Sequence, residues 1–262
     1  MEIWLRRANA VPLQPIAILE VVKVKAHART HVACNGRSSS GDWHHLRRTR
    51  LALGKGKLMG GWHHIKGITA YLPKANVDTD QLIPARFMSA PRSEGYGGYL
   101  LYDQRRDAHG QLDPSFPLNS DKTPSVLIVH RNFGSGSSRE AAVYALVDAG
   151  FQAVIAPSFG DIFSSNAVNN GLLPLRLDEP DHAKLVVCHK AKPDLPTAID
   201  LDTCQLRLGS FECVFTLDET WRLKLINGWD DIDMTQQYRS SIEIYRERSC
   251  DVTPWAWPPG VN

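Results

Sequence analysis

The feature that most constrains the fold is a buried-strand pattern that leads through a glycine-rich turn into a helix pattern. Residues 125–129 form a continuous apolar run rich in β-branched side chains, which is typical of a strand covered on both faces. The run is followed by the turn 132–136. Residues 139–149 then place alanine and leucine at helical spacing, and Gly150 follows as a helix stop. Strand, turn and helix in this order predict a βαβ unit.

The same rhythm extends on both sides of this unit. Residues 68–72 and 153–156 read as further strands, residues 161–170 as a short helix and residues 172–177 as a strand. After about residue 198 the pattern changes. Short strands are predicted at 199–201, 205–208 and 211–217, and helices at 219–227 and 234–247. The sequence therefore predicts one α/β domain of roughly 190 residues with parallel strand pairing.

The glycine turn carries the strongest chemical signal. Its anion loop consists of Gly134, Ser135 and Gly136, and it is followed by Ser137, Ser138, Arg139 and Glu140. Glycines let a ligand approach the main chain, and the free N–H groups of the following helix attract an anion. Arg139 can pair with a carboxylate through two hydrogen bonds, and Glu140 can cap backbone donors and orient Arg139. An ordinary helix start capped by a serine is the alternative interpretation.

Three familiar motifs do not match this turn. The lysine of a phosphate-binding P-loop is missing, and Arg139 stands where a dinucleotide fingerprint has its third glycine. A nucleophile elbow would have the pattern G-x-S-x-G, which is also not present here. The turn is therefore best interpreted as a site for a carboxylate or phosphate group.

A second polar cluster precedes the predicted short helical turn 82–88. Asp78, Thr79 and Asp80 lie together on a loop, and Arg92 follows in a segment flanked by glycines. A mobile arginine in such a loop could close over a dicarboxylate, whereas the alternative is a solvated loop arginine.

Charge divides the chain into two parts. Residues 1–66 contain 12 Lys and Arg against 3 Asp and Glu, a net charge of +9, whereas the remainder has 18 and 25, a net charge of −7. The first part has no sustained hydrophobic period, so residues 1–65 are predicted to be a basic, poorly structured extension. A basic arm that binds RNA is the alternative interpretation. The paired histidines at 44–45 and 63–64 have no acidic or cysteine residue directly beside them, so we do not predict a metal site there.

The five cysteines are widely spaced and include no C-x-x-C pair. They are predicted to be reduced structural thiols, so no metal or cofactor is expected to be bound by this chain. An iron–sulfur cluster would need thiolates from another chain. There is no apolar run of about 18 residues and no secretory signal pattern, so the chain is predicted to be cytoplasmic, without membrane contact.

Three stretches resemble the signature stretches of the isopropylmalate dehydratase small-subunit family, which is similar to the swivelling C-terminal domain of aconitases. They are NVDTDQLIPARF at 76–87, NFGSGSSREAAVYAL at 132–146 and VIAPSFGDIFSSNAVNNGLLPL at 154–175. The resemblance implies a swivelling β/β/α domain at 66–250, behind the extension 1–65 and before a proline-rich tail at 251–262. It also implies a large-subunit partner that carries a [4Fe–4S] cluster, and the interconversion of 2-isopropylmalate and 3-isopropylmalate in leucine biosynthesis.

The resemblance also assigns roles to residues. Ser137 stands at the position of the serine base that takes a proton from carbon. Ser138, Arg139 and Arg92 stand at substrate-binding positions, and the loop of Asp78, Thr79 and Asp80 would line the pocket. Two positions depart from the usual pattern, because many relatives have cysteine or threonine at Ser135 and histidine at Ala141.

Other functions remain open at this stage. A related small subunit could act on homoaconitate, citraconate or a dimethylmalate, and the loop around Arg92 would set that choice. An RNA-binding or regulatory protein that uses the basic arm belongs to a different class, although nucleic acid is not the expected partner. A third alternative is an anion-binding module without catalysis.

Overall fold

A computed structural model gives the structure of the chain, and it describes residues 60–120 and 122–257. The proposed extension up to residue 59 and the last five residues of the predicted tail lie outside the described residues. The strands are β1 His64–Gly67, β2 Thr69–Tyr71, β3 Val126–Ile128, β4 Ala153–Ala156, β5 Leu173–Arg176, β6 Thr197–Asp200, β7 Gln205–Leu208 and β8 Phe211–Val214. The α-helices are α1 Thr79–Leu82, α2 Glu140–Asp148, α3 Asp161–Asn169, α4 Glu179–Ala191, α5 Glu219–Asn227, α6 Asp231–Gln236 and α7 Arg239–Val252.

The four strands β2, β3, β4 and β5 form a parallel sheet in sequence order. Val126 of β3 pairs with Ala153 of β4, and Ala153 pairs in turn with Leu173 of β5. Helices α2 and α3 connect these strands, so the predicted βαβ units and their parallel pairing are confirmed. Because all four strands point the same way, the loops that follow them converge at one edge of the sheet.

The remaining strands form a second, antiparallel sheet in the order β1-β6-β7-β8. Alternate residues of the parallel sheet face opposite cores. Leu127 and Val154 pack with Leu146 of α2, whereas Ile128 and Ile155 belong to the core that contains the antiparallel sheet. The domain therefore has three layers, namely the antiparallel sheet, the parallel sheet and a layer of helices. This arrangement confirms the predicted α/β swivelling β/β/α fold class.

Several elements differ from the sequence-based expectation. Helix α4 was not expected, although Asp178 caps its first turn and a proline follows at the helix start. Strand β1 was not expected either, and it begins at His64, with Trp62 and Ile65 buried. The folded domain thus includes residues that we assigned to the extension.

The C-terminal region also departs from the expected single helix at 234–247. Helix α6 ends at Gln236 and α7 runs from Arg239 to Val252, followed by a 3-10 turn at Pro254–Ala256. No residue of α7 is buried. Within the described residues, no helix has both the length and the apolar character that crossing a membrane requires.

Candidate functional site

Three loops meet beyond the carboxyl ends of β2, β3 and β4. The Gly134 N–H donates to the Val77 carbonyl over 2.7 Å, and the Thr79 N–H donates to the Ser135 carbonyl over 3.0 Å. The Gly160 N–H donates to the Phe133 carbonyl over 2.9 Å. These backbone hydrogen bonds bring together the three stretches that carried the sequence resemblance, at the sheet edge where open α/β sheets bind ligands.

Two glycines allow the close approach of these loops. Gly134 has φ +70°, and a Cβ atom placed on it would lie 2.2 Å from Cγ of Phe163. A Cβ on Gly160 would lie 2.6 Å from the Gly134 carbonyl oxygen. Both positions therefore require glycine for space, and Gly134 requires it for its backbone conformation as well.

Helix α2 begins directly after this turn, and its start has no side-chain cap. Arg139 occupies the N-cap position in an extended conformation, and in the part of the chain that the structure describes no side chain caps the first helical N–H groups. The interpretation of the turn as an ordinary serine-capped helix start is therefore wrong. Ser137 and Ser138 are exposed, and the described residues provide no hydrogen-bond partner for either hydroxyl. The turn presents two free hydroxyls beside uncapped backbone donors, an arrangement suited to an anion.

Arg139 and the loop at 78–80 lie next to each other. Nη1 of Arg139 forms an ion pair with Oδ1 of Asp80, whose side chain is 58% exposed. Asp78 accepts the Gln81 N–H over 2.7 Å and so caps α1. The Thr79 hydroxyl is buried and has no hydrogen-bond partner among the described residues. A Cβ on Gly136 would lie 3.7 Å from that hydroxyl, so Thr79 lies directly beneath the turn.

Glu140 does not orient Arg139, contrary to our expectation. Its Oε1 accepts a hydrogen bond from Nδ2 of Asn170 over 2.9 Å, and its charge acts on Tyr144 one helical turn along α2. Burial, followed by the charge of Glu140, raises the pKa of Tyr144 to about 12. We did not predict this contact with Asn170, which lies 30 residues further along the chain.

Arg92 lies apart from the turn, at the other end of α2. Its Nη2 donates to Oδ1 of Asp148 over 3.1 Å, and its guanidinium carbon lies 3.6 Å from the centre of the Tyr144 ring. The Tyr96 N–H donates to the other carboxylate oxygen of Asp148 over 2.7 Å. Tyr144 is five residues beyond Arg139, or about 7.5 Å along the helix axis. The structure therefore brings Ser137, Ser138 and Arg139 together with residues 78–80, but it does not bring Arg92 to them.

The groups at this edge of the sheet suit a carboxylate better than a metal ion. The carboxylates of Asp78 and Asp80 are engaged in capping α1 and in pairing with Arg139. The other groups are hydroxyls, a guanidinium and backbone N–H groups, all of which donate hydrogen bonds. The four described thiols lie in different segments, with Cys188 in α4, Cys204 in the turn before β7, Cys213 in β8 and Cys250 in α7. Burial raises the pKa of the Cys213 thiol to about 11, which disfavours the thiolate that a metal would need.

Comparison with known proteins identifies the family. Residues 59–180 match the aconitase C-terminal domain family. The 3-isopropylmalate dehydratase small subunit of Shouchella clausii is 42% identical over 189 residues, which cover 71% of this chain and 95% of that protein. The chain belongs to the 3-isopropylmalate dehydratase small-subunit family. The small subunit of Geobacillus sp. WCH70 is 40% identical, over 72% of this chain and 96% of that protein.

A solved structure supports the same family at the level of the fold. The 3-isopropylmalate dehydratase from Methanocaldococcus jannaschii matches with a TM-score of 0.51 and 28% sequence identity. The match covers 70% of this chain and 99% of that chain. All the site residues that we predicted from the sequence lie within residues 59–180, the part of this chain that matches the aconitase C-terminal domain family.

Proposed function

We propose that this chain is the small subunit of a heterodimeric hydro-lyase that interconverts 2-isopropylmalate and 3-isopropylmalate by dehydration and rehydration, in leucine biosynthesis. The relatives that support this proposal are named as 3-isopropylmalate dehydratase small subunits. The single observation that carries it is the uncapped start of α2, where Ser137 and Ser138 are exposed and unpartnered beside Arg139. Such a site can bind a carboxylate of the substrate and still leave a serine hydroxyl free to face the carbon atom that loses its proton.

Ser137 takes the catalytic role in this proposal, as the base that removes a proton from carbon. A serine hydroxyl is a very weak acid, so its alkoxide forms only where positive charge and hydrogen-bond donors stabilise it. The positive end of the α2 dipole and the Arg139 guanidinium both lie at this turn and supply that stabilisation. No described residue forms a hydrogen bond with the Ser137 hydroxyl, which is therefore free to turn toward substrate.

Substrate binding falls to Ser138 and Arg139, with the anion loop Gly134, Ser135 and Gly136 contributing backbone contacts. Ser138 donates to a substrate carboxylate, and the Arg139 fork pairs with it. Asp80 already pairs with Arg139 and holds the guanidinium beside the turn before substrate arrives. Thr79 is the best placed of the 78–80 group to complete the pocket, because its buried hydroxyl still needs a partner.

The proposed substrate-binding role of Arg92 requires a further condition. In the structure it is held against Asp148 and Tyr144, so it reaches substrate only if its loop moves or if the substrate extends along α2. The loop would then bear on the choice between isopropylmalate and the related substrates homoaconitate, citraconate and dimethylmalate. Substrate profiling of the heterodimer tests this choice, and turnover of one of those relatives without turnover of isopropylmalate would contradict the substrate that we propose.

The large subunit is the proposed partner, and a [4Fe–4S] cluster held there would act as a Lewis acid on the departing hydroxyl. The scattered arrangement of the four described cysteines supports a cluster bound by the other chain. Cytoplasmic localisation and the role of residues 1–65 stay predictions from the sequence. Deletion of residues 1–59 tests the latter, because a regulatory arm would alter activity or RNA retention, whereas an inert extension would alter neither.

Replacement of the proposed base gives the decisive test. We expect Ser137→Ala to lower kcat of the reconstituted heterodimer by about 10²- to 10⁴-fold, as loss of a general base does. Thermal stability should not change, because the hydroxyl has no partner in the described fold. Ser120→Ala, an exposed serine outside the turn, is the matched control. Unchanged turnover in Ser137→Ala would remove the proposed base and favour an anion-binding module without catalysis.

A further inference from the structure

Two histidines and two aspartates that are far apart in sequence lie together on the antiparallel sheet. In the register of β1 against β6, His64 stands opposite Asp200. Nδ1 of His64 lies 3.5 Å from Oδ2 of Asp200, and Nε2 of His64 lies 3.9 Å from Oδ2 of Asp202. One ligand atom from each of these three residues can be chosen so that all lie within 4.8 Å of one another. Strand pairing has supplied the acidic partners that the sequence around the histidines lacks.

Asp200 is held in position before any ligand binds. Its Oδ1 accepts the backbone N–H groups of Asp202 and Thr203, over 2.8 and 3.0 Å. These two bonds fix the orientation of the carboxylate. Its Oδ2 atom is left directed toward His64. A preoriented carboxylate loses less conformational freedom on binding an ion.

His63 orients the second carboxylate. Its Nδ1 lies 3.0 and 3.1 Å from the two oxygens of Asp202. Hydrogen bonds of this kind to a ligating carboxylate fix its orientation and tune its affinity for a metal ion. The four side chains are between about one third and two thirds exposed, so an ion can reach them from solvent.

We propose that His64, Asp200 and Asp202 bind a divalent first-row transition-metal ion such as Zn²⁺, and that His63 acts as a positioning residue. Imidazole nitrogen and carboxylate oxygen are ligands that Zn²⁺ accepts at about 2.0–2.2 Å, which places neighbouring ligand atoms about 3.4 Å apart in a tetrahedral site. The distance of 3.5 Å between His64 and Asp200 already matches this spacing. Solvent supplies the remaining position.

The location of the site indicates a structural rather than a catalytic ion. Strand β1 is at the edge of the antiparallel sheet, and the core behind that sheet is separate from the one that contains α2. An ion here would fasten β1 to the turn that follows β6. Because the ion binds the folded state, it should raise the temperature of unfolding.

The test uses the full-length chain, with Zn²⁺ titrated calorimetrically into wild type and variants after chelation. Residues 1–59 contain four further histidines, so the site is scored as the difference between wild type and each variant. We expect His64→Gln to lose one equivalent of Zn²⁺, and His63→Gln to bind that equivalent about tenfold more weakly. His109→Gln, which removes an exposed histidine elsewhere, should bind as wild type does.

Thermal unfolding with and without Zn²⁺ gives a second readout. The stabilisation by Zn²⁺ should disappear in His64→Gln and in Asp202→Asn, which changes the turn and leaves both paired strands intact. The proposal is overturned if these two variants bind as many Zn²⁺ ions as wild type, or if Zn²⁺ still raises their unfolding temperature by the wild-type amount.

Discussion

The two loops at opposite ends of α2 hold their arginines in contrasting ways. At the N-terminal end, Arg139 lies in a turn of unpartnered hydroxyls and pairs with an exposed carboxylate. At the C-terminal end, Arg92 packs on the face of Tyr144 and donates to Asp148, whose side chain is only 19% exposed. The sequence suggested the same carboxylate-binding role for both, because each arginine lies in a loop close to glycine and serine residues. The structure separates them by environment.

This difference separates the interactions that stabilise the fold from the groups that remain available to a ligand. The two arginine side chains are similarly exposed, 25% for Arg139 and 29% for Arg92, but the carboxylate of Asp80 is 58% exposed and that of Asp148 only 19%. An ion pair with an exposed carboxylate contributes about 0–1 kcal/mol to stability, so the pair of Arg139 with Asp80 is a weak reason for either residue to be there. A guanidinium that is stacked on an aromatic ring and paired with a mostly buried carboxylate contributes more. We therefore expect loss of Arg139 to affect activity and loss of Arg92 to affect stability first.

The largest expected effect comes from Arg139→Gln. Loss of a charged donor at an anion site should lower kcat/KM of the heterodimer by about 10²- to 10³-fold, with a change in unfolding free energy of less than about 1 kcal/mol. Arg207→Gln is the control, because Arg207 on β7 also forms an ion pair with an exposed carboxylate, that of Glu212, which is 55% exposed. Steady-state kinetics with both variants check this prediction. Equal activity in the two would mean that Arg139 does not meet substrate.

The next effect compares one glycine from each loop. Gly134 and Gly95 both have positive φ, +70° and +77°, but only Gly134 has a neighbour, Phe163, in the space of a Cβ. Gly95→Ala should cost about 1–3 kcal/mol for the backbone conformation alone, because φ +77° with ψ +139° is a combination that glycine adopts and other residues avoid. Gly134→Ala adds a steric clash of about 1–3 kcal/mol. Denaturant unfolding of the two variants measures the difference, and equal losses would show that the turn can move away from Phe163.

Local patterns in the sequence were sufficient to predict the parallel half of the fold. Strand β4 was predicted with the bounds that it has, because its four residues are apolar and covered on both faces. Helix α4 was missed because His182 and His189 occupy its buried face. These polar residues interrupt the helical spacing of apolar residues that would have indicated a helix. His182 is accommodated there by a hydrogen bond of 2.7 Å to the Val129 carbonyl, 53 residues away. Such a contact leaves no mark on the local pattern.

The candidate site shows the same limit. The glycine turn and the helix start at Glu140 followed from residue types alone, since turns and helix starts are local structures. The partner of Arg139 did not, because Asp80 lies 59 residues away and only the pairing of Asp78 with Ser135 brings it near. Arg92 was expected to be mobile for a related reason. Its two contacts on α2 come from a helix about 50 residues further along the chain.

Arg92→Lys tests how firmly that loop is held. Lysine cannot keep both the stacking on Tyr144 and the hydrogen bond to Asp148, so unfolding free energy should fall by about 1–2 kcal/mol. Arg106→Lys is the matched control, because Arg106 lies at the same 3.6 Å from the ring centre of Tyr102 but has no ion pair within the described residues. Arg106→Lys should lose less unfolding free energy than Arg92→Lys. A large fall in kcat/KM of Arg92→Lys without loss of stability would break the contrast between the loops and support the substrate-binding role that the family resemblance implies.

The smallest effect concerns Tyr144, which touches both loops through Arg92 and Glu140. Burial and the Glu140 carboxylate raise the pKa of Tyr144 to about 12, so the folded protein keeps the phenol proton after the unfolded chain has lost it. The contribution of this phenol to the free energy of unfolding is fully present below pH 10 and is lost as pH rises from 10 toward 12. Because water reaches the half-buried ring, we expect about 1 kcal/mol or less. Tyr144→Phe should flatten this alkaline loss relative to Tyr245→Phe, an exposed tyrosine on α7, when unfolding free energy is measured from pH 8 to pH 11. If both variants kept the wild-type slope, Glu140 would not bear on Tyr144, and the two ends of α2 would be independent.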